Sequence, residues 1–190
     1  QRGRGTIAEA SGDIEAAITA REAFRRALNQ ASTIDPSRPT PYAELVRSLV
    51  LEYRRTLDRS LLEQAMRYLD AAAGTVQTSE QLVIERANVL EEMGDPRRSA
   101  IDLADFLRRV PTARNVRQRL AQAYVAAGNP GRAIETLQQA IRSEPRDPYW
   151  HALLADHIRQ SSGDLESATL HYITAWDLEP TRSRLTAIMD

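Results

Sequence analysis

The sequence from Leu120 to Pro145 reads LAQAYVAAGNPGRAIETLQQAIRSEP and contains two amphipathic segments on either side of Gly128. Each segment is about a dozen residues long and has apolar residues at three- and four-residue spacing, which is the period of an α-helix. The apolar stripes contain Leu120, Tyr124, Ala133, Leu137, Ala140 and Ile141. The stretch therefore predicts two helices joined by a short turn.

The turn at Gly128 has the residues that end one helix and begin the next. Glycine can adopt the left-handed conformation that ends a helix, and Asn129 is a good N-cap for the helix that follows. Pro130 then occupies the first helical position, where its missing N–H does no harm. The same order is found at Gly94, Asp95 and Pro96, and at Gly163 and Asp164. So short a connection predicts that the two helices fold back as a hairpin.

These signals recur at a fixed period. The spacing is 34 residues between Gly94 and Gly128 and between Pro111 and Pro145, and 35 residues between Gly128 and Gly163 and between Pro145 and Pro180. Each of these prolines ends the helix before it, because proline cannot continue the helical hydrogen bonding. A period of this length indicates a helical repeat array, in which stacked neighbours bury a continuous core.

The segment Leu120 to Pro145 resembles the tetratricopeptide repeat, whose pattern combines small and large apolar residues with a final proline. The matching positions are Leu120, Ala121, Tyr124, Ala133, Leu137, Ala140 and Pro145. A later unit offers Leu154, Ala155, Ile158, Ala168, Tyr172, Ala175 and Pro180, and an earlier one Ala87, Leu90, Ser99, Leu103, Phe106 and Pro111. A first unit keeps Leu49, Tyr53, Ala65, Leu69 and Ala72, but has Ser60 near the glycine site and Gln77 at the proline site. The first aromatic position of the pattern departs, holding Val83, Arg117 and His151. The alanines predict close helix crossings, since a methyl group is all that fits there.

The resemblance implies an all-α fold, a right-handed α-α superhelical solenoid of antiparallel helix hairpins. We expect four repeats over 41–190, including the start of a C-terminal helix or cap. Residues 13–40 are predicted to be a half repeat, consisting of a second helix and a loop, and 1–12 a tail or the remnant of a truncated helix. The start at Gln1 suggests a fragment of a larger protein. The cytoplasm and the periplasm therefore both stay open as locations.

Composition argues against several other classes. The formal net charge is −1 and the isoelectric point is near 6.4, so the molecule as a whole has no general attraction for nucleic acid. No apolar run approaches the roughly 20 residues of a bilayer span, and we expect no direct membrane insertion. The absence of cysteine excludes disulfides, a thiolate nucleophile and cysteine-based metal sites.

The residues give little support for catalysis. The histidines are His151, His157 and His171, and the six-residue spacing of the first two does not match a helix-borne zinc pair. Glu91 and Glu92 are adjacent in a helix and point apart, which favours a solvated face. We predict a non-enzymatic protein without cofactor or metal.

In tetratricopeptide proteins the first helices of successive hairpins line a concave surface that receives a peptide or protein. Projected onto this chain, the resemblance assigns that surface to Arg47, Arg54, Asn88, Asn115, Arg119, Gln122, Tyr149, Asp156 and Arg159, together with Gln81, Ile84 and Gln118. The arginines would bind acidic side chains or a terminal carboxylate, and the amides would bind the peptide backbone. The alternative is that these residues are simply solvated positions on amphipathic helices.

Two other functions stay open. The first is self-association as a homo-oligomer, because a truncated solenoid exposes the apolar face of its last repeat and Tyr149, Trp150 and Trp176 lie near that end. Trp150 is favoured as a core residue instead, given Leu153 and Leu154 at helical spacing. The second is a regulatory segment of an enzyme whose catalytic domain lies outside this chain.

Overall fold

All regular elements that the computed structural model describes are α-helices. It describes residues 19, 22–23, 25–27, 29–30, 38–72, 74, 79–161 and 163–181, and no strand occurs in these ranges. The helices are α1 (Pro39–Thr56), α2 (Ser60–Ala71), α3 (Glu80–Glu92), α4 (Pro96–Arg109), α5 (Arg114–Ala126), α6 (Pro130–Ser143), α7 (Pro148–Ser161) and α8 (Leu165–Leu178). The all-α class predicted from the sequence is confirmed.

The chain divides into two compact units, Gln1–Val89 and Leu90–Asp190. In the first, α1 packs against α2, and in the second each helix from α4 to α8 packs against the next along the chain. Residues 19, 22–23, 25–27 and 29–30 are helical. The expected segment 1–12, the proline-site residue Gln77 and most of the expected C-terminal helix, 182–190, lie outside the described residues. The boundaries of the half repeat and of the four repeats stay predictions.

The hairpin of the first unit turns without a glycine. Leu57 follows α1 with a φ of 58°, in the left-handed region, and its N–H donates to the carbonyl oxygen of Tyr53 at 2.6 Å. The sequence had indicated only Ser60 near this site, so the residue that takes the left-handed conformation was not predicted. Leu57 is 72% exposed, so its side chain does not have to fit into the core in this conformation.

The hairpins of the second unit turn at glycines, as the sequence predicts. Gly94, Gly128 and Gly163 have φ values of 86°, 76° and 66°. In this region an L side chain is strained, whereas glycine is not. The helices before these turns can therefore end there without backbone strain.

All three predicted N-cap residues occupy that position, and two of them form the capping hydrogen bond. An Asp95 carboxylate oxygen accepts from the backbone N–H of Arg98 at 3.1 Å, and an Asp164 carboxylate oxygen accepts from that of Ser167 at 3.0 Å. Asn129 occupies the N-cap position of α6, as predicted, but its side chain forms no capping hydrogen bond, and its amide donates to the carbonyl oxygen of Ala127 at 3.1 Å instead. Helix α6 still begins at Pro130, as predicted.

Five alanines are buried in the core of the second unit. Ala121, Ala133, Ala140, Ala155 and Ala168 are at most 1% exposed and belong to one core cluster, which also contains Leu137, Leu154, Tyr172 and Trp150. A methyl side chain at such positions lets helices approach closely, while the larger residues fill the remaining space.

Trp150 lies in this core, as favoured from the sequence. It is 1% exposed, and its indole N–H donates to a carboxylate oxygen of Glu144 at 3.0 Å, so the polar atom of the ring is satisfied. The neighbouring His151, at a position where the repeat pattern has an aromatic residue, is 8% exposed.

Candidate peptide-binding surface

In the first unit, two predicted binding residues converge on a buried carboxylate. Arg47 donates from Nε at 3.0 Å and from Nη2 at 2.7 Å to one oxygen of Glu85, which is only 4% exposed. Asn88 donates to the other oxygen at 3.1 Å, and Glu44 accepts from Nη1 of Arg47 at 2.8 Å. The hydrogen bond to Glu85 raises the pKa of Arg47. The network joins the first helices α1 and α3 of two adjacent hairpins.

Arg54 lies in the last turn of α1, two turns along the helix from Arg47, and is exposed. Its position near the C-terminus of the helix is favourable for a cation, since the helix dipole is negative there. Both arginines predicted on α1, Arg47 and Arg54, are exposed.

A second arginine–carboxylate pair occurs in the second unit. Arg119 of α5 donates to one oxygen of Glu91 at 2.7 Å, and the hydroxyl of Ser99 donates to the other at 2.9 Å. The solvated role predicted for Glu91 is wrong, because the stacked helices bring Arg119 and the buried Ser99 to it. This pair joins the end of α3 to α5.

A tyrosine joins α5 to α7. The hydroxyl of Tyr149 donates to the side-chain oxygen of Gln118, and the guanidinium carbon of Arg114 lies 4.2 Å from the centre of the Tyr149 ring. Arg114 also forms an ion pair with Asp147 at 2.7 Å, and Asp147 accepts the backbone N–H of Tyr149 at 2.9 Å. Burial raises the pKa of Tyr149, so the hydroxyl keeps its proton and can donate. The predicted positions Gln118 and Tyr149 are thus on one surface.

The remaining predicted residues of α7 form a polar edge. Asp156 accepts a hydrogen bond from the hydroxyl of Tyr172, and Nη2 of Arg159 lies 3.9 Å from the same carboxylate. Burial, followed by the bond to Asp156, raises the pKa of Tyr172 to about 12. The side chains of Asp156 and Arg159 are 46% and 47% exposed, which leaves both accessible. On α5, Asn115 and Gln122 are also exposed.

We call Asn115, Gln118, Arg119 and Gln122 of α5 with Tyr149, Asp156 and Arg159 of α7 the first-helix face. The resemblance assigned all seven residues to this surface, but it did not predict that Arg119 is paired with the carboxylate of Glu91. A usable signal existed, because Glu91 follows Ala87, which matches the repeat pattern, by four residues, about one helical turn. The face carries as many anionic as cationic groups when Glu91 is included.

The histidines do not form a metal site in the part of the chain that the structure describes, where no group of three or more metal-ligating side chains occurs. Nδ1 of His151 lies 3.2 Å from Nδ1 of His171. Burial lowers the pKa of both His157 and His171, which favours their neutral forms. None of the described helices is both long and apolar enough to cross a bilayer.

Stacked helix hairpins with glycine turns, alanine crossings and a polar face on the first helices define a helical-repeat scaffold. Residues 92–156 match the family model of the tetratricopeptide repeat. Over these residues the chain matches the tetratricopeptide repeat, as the sequence predicted. Comparison with curated proteins gives no match.

Solved structures agree with this fold. The crystal structure of MamA protein superposes with a TM-score of 0.60 at 16% identity, covering 91% of this chain and 90% of that one. YrrB, described as a TPR protein with an unusual peptide-binding site, gives 0.59 at 14% identity, covering 94% and 88%. TTC0263, a thermophilic TPR protein in Thermus thermophilus, gives 0.59 at 18% identity, covering 93% and 92%. The fold supports a protein–protein interaction scaffold in general, and tetratricopeptide proteins are generally non-catalytic.

Proposed function

We propose that this protein is a non-catalytic scaffold that binds an extended peptide segment on the first-helix face. The observation that carries the proposal is the hydrogen bond between Tyr149 and Gln118, which joins predicted binding positions of two neighbouring hairpins side by side. A peptide lying across α5 and α7 would therefore meet one continuous row of polar groups rather than two separate helices.

The chemistry of the face favours backbone recognition with one acidic contact. Asn115 and Gln122 are exposed amides that can both donate to and accept from a peptide backbone. Arg159 is half-exposed and only loosely paired with Asp156, so an acidic side chain of the ligand can form a forked hydrogen bond with it. Arg119 is held by Glu91 and contributes to the shape of the face more than to its charge.

Arg47, Arg54 and Asn88 form a second candidate patch within the first unit. Because Arg47 and Asn88 are bonded to Glu85, an acidic ligand would have to compete with a buried internal carboxylate there. The exposed Arg54 adds a further positive charge in the last turn of α1.

The test uses two matched variants of the intact chain. Peptides are first selected from a display library against the wild-type protein, and the dissociation constant of a selected peptide is then measured by fluorescence anisotropy. Gln122→Ala/Arg159→Ala removes one amide and one guanidinium from the face, whereas Gln138→Ala/Arg142→Ala removes the same groups from exposed positions of α6.

We expect the face variant to weaken binding by about tenfold or more, which corresponds to about 1.4 kcal/mol, and the control to bind like the wild type. Equal affinities for the two variants would refute the proposed face. Circular dichroism of both variants checks that each is folded.

Self-association is a second candidate, because α8 exposes large apolar side chains. Leu165, Leu170 and Ile173 are 64%, 60% and 39% exposed. Light scattering coupled to chromatography at several concentrations would show a mass that increases with concentration. Leu170→Gln should abolish the increase, while Ile101→Gln, at the similarly exposed Ile101 of α4, should not. A monomer at every concentration would remove this candidate.

A further inference from the structure

A cleft of about 540 Å³ lies between α4, α5 and α6 in the second unit. Its apolar lining comes from Ala104 and Leu107 of α4 and from Leu120 and Tyr124 of α5. The charged residues of its lining are Arg108, Arg117, Arg132 and Glu135. The volume is within the range of clefts that bind ligands, and the lining combines an apolar base with a few charged groups, as such sites do.

The cleft is on the opposite side of α5 from the first-helix face. At about 100° per residue, positions 117, 120 and 124 lie on one side of the helix, and positions 115, 118, 119 and 122 lie on the other. A ligand in the cleft therefore does not compete for the side chains of the first-helix face.

Two of its arginines have no carboxylate partner among the described residues. Arg117 donates to the carbonyl oxygen of Pro111 at 2.5 Å, and its guanidinium carbon lies 5.9 Å from the Trp150 ring centre. The guanidinium carbon of Arg132 lies 5.7 Å from the ring centre of Tyr124. Arg108, by contrast, is paired with Asp105 on its own helix. Arg117 and Arg132 are therefore positioned by neutral groups, and their charges are available to an anionic ligand.

The lining of the cleft is positively charged, whereas the whole chain has a small negative net charge. Its lining contains three arginines and a single carboxylate, Glu135, whereas the whole chain has a formal net charge of −1. Positive groups gathered around a partly apolar cleft attract an anionic partner locally even when the whole protein does not. Planar guanidinium groups bind carboxylates with forked hydrogen bonds.

We propose that this cleft is a second docking site, and that it binds an acidic peptide segment in which carboxylates alternate with apolar side chains. The carboxylates contact Arg117 and Arg132, and the apolar side chains pack against Leu107, Leu120 and Tyr124. The proposal goes beyond the peptide ligand of the first-helix face, because the protein would hold two segments at once on opposite sides of α5.

Fluorescence anisotropy with the intact chain tests the site directly. The probe is a short fluorescein-labelled peptide of alternating glutamate and leucine, and the comparison probe has glutamine in place of each glutamate. Arg117→Gln/Arg132→Gln is compared with Arg97→Gln/Arg142→Gln, which removes the same charge from exposed positions outside the cleft lining. We expect the cleft variant to bind the acidic probe at least tenfold more weakly and the control to change by less than about twofold.

A variant that binds the acidic probe more tightly than the wild type cannot owe the change to a loss of folding. Glu135→Gln removes the carboxylate from the cleft and should tighten binding of the acidic probe by about twofold to fivefold. Glu166→Gln, at an exposed position of α8, should leave it unchanged. An unchanged affinity in Glu135→Gln, equal weakening by the two arginine pairs, or equal binding of the acidic and neutral probes would overturn the assignment.

The proposals for the first-helix face and for the cleft can be refuted independently of each other. If Gln122→Ala/Arg159→Ala abolishes binding of the acidic probe and the cleft variant does not, the acidic segment binds the first-helix face and the cleft inference is wrong. If the cleft variant alone weakens this probe, the cleft is supported whatever the outcome for the library-selected peptide.

Discussion

Replacing Ala133 by leucine should destabilise the protein. Ala133 is fully buried in a cluster that includes Ala121 of α5 and Leu137 of α6. Leucine adds three carbons. If the site had room for them, their burial would stabilise the fold by about 0.8 kcal/mol per group. Because the alanines mark close helix contacts, we expect overpacking instead, which lowers the free energy of unfolding by about 1 to 3 kcal/mol.

The experiment shows whether Ala133→Leu lowers or raises the free energy of unfolding. Urea denaturation followed by circular dichroism gives the free energy of unfolding of wild type and Ala133→Leu. The control is Ala126→Leu, which adds the same carbons at an exposed position of α5 and should change stability by less than about 0.5 kcal/mol. A variant at position 133 as stable as the control, or more stable than the wild type, would show that the helices do not meet through an alanine-sized contact.

Three further predictions concern turns, a buried carboxylate and pH. Gly128→Ala should lower the free energy of unfolding by about 1 kcal/mol because φ is 76°, whereas Gly131→Ala in the first turn of α6 should not, and urea titrations of both variants check this. Glu85→Ala should lower it by about 1 to 3 kcal/mol, because Arg47 and Asn88 lose their shared acceptor, and a wild-type denaturation midpoint would contradict the network. Burial lowers the pKa of His157 and His171 in the folded protein below the ordinary value of 6.5. Just below pH 6.5 the unfolded chain therefore binds more protons than the folded one, and the free energy of unfolding should fall as the pH drops below this value. Urea midpoints measured across this range should fall less steeply in His157→Gln/His171→Gln than in the wild type, and equal slopes would contradict the assignment.

The turns and crossings could be predicted from the sequence because single residues determine them. Gly94, Gly128 and Gly163 mark left-handed positions that other residues avoid, and the alanines mark close contacts by their size. Leu57 could not be predicted, since a left-handed leucine carries no sequence signature. Asn129 has the right residue type for a cap, but its amide found another acceptor in the preceding turn.

The ion pairs and hydrogen bonds of the candidate site could not be predicted from the sequence. The resemblance to the tetratricopeptide repeat assigned Gln118, Arg119 and Tyr149 to one surface, and the structure bonds Tyr149 to Gln118. The acceptor of Arg119 lies 28 residues away in the sequence and that of Arg47 lies 38 residues away. Which carboxylate meets which arginine depends on how neighbouring hairpins stack and on the side-chain rotamers, and neither is encoded in the period of the repeat. The sequence therefore overstated how much positive charge the first-helix face offers.

The first-helix face can be tested most directly by nuclear magnetic resonance with a peptide selected against the wild-type chain. Backbone amide shifts are recorded for the protein with increasing peptide. The proposal predicts that the largest changes fall on residues 115–122 of α5 and 149–159 of α7. Largest changes on α6 and α8, with α5 and α7 unaffected, would contradict the proposed face.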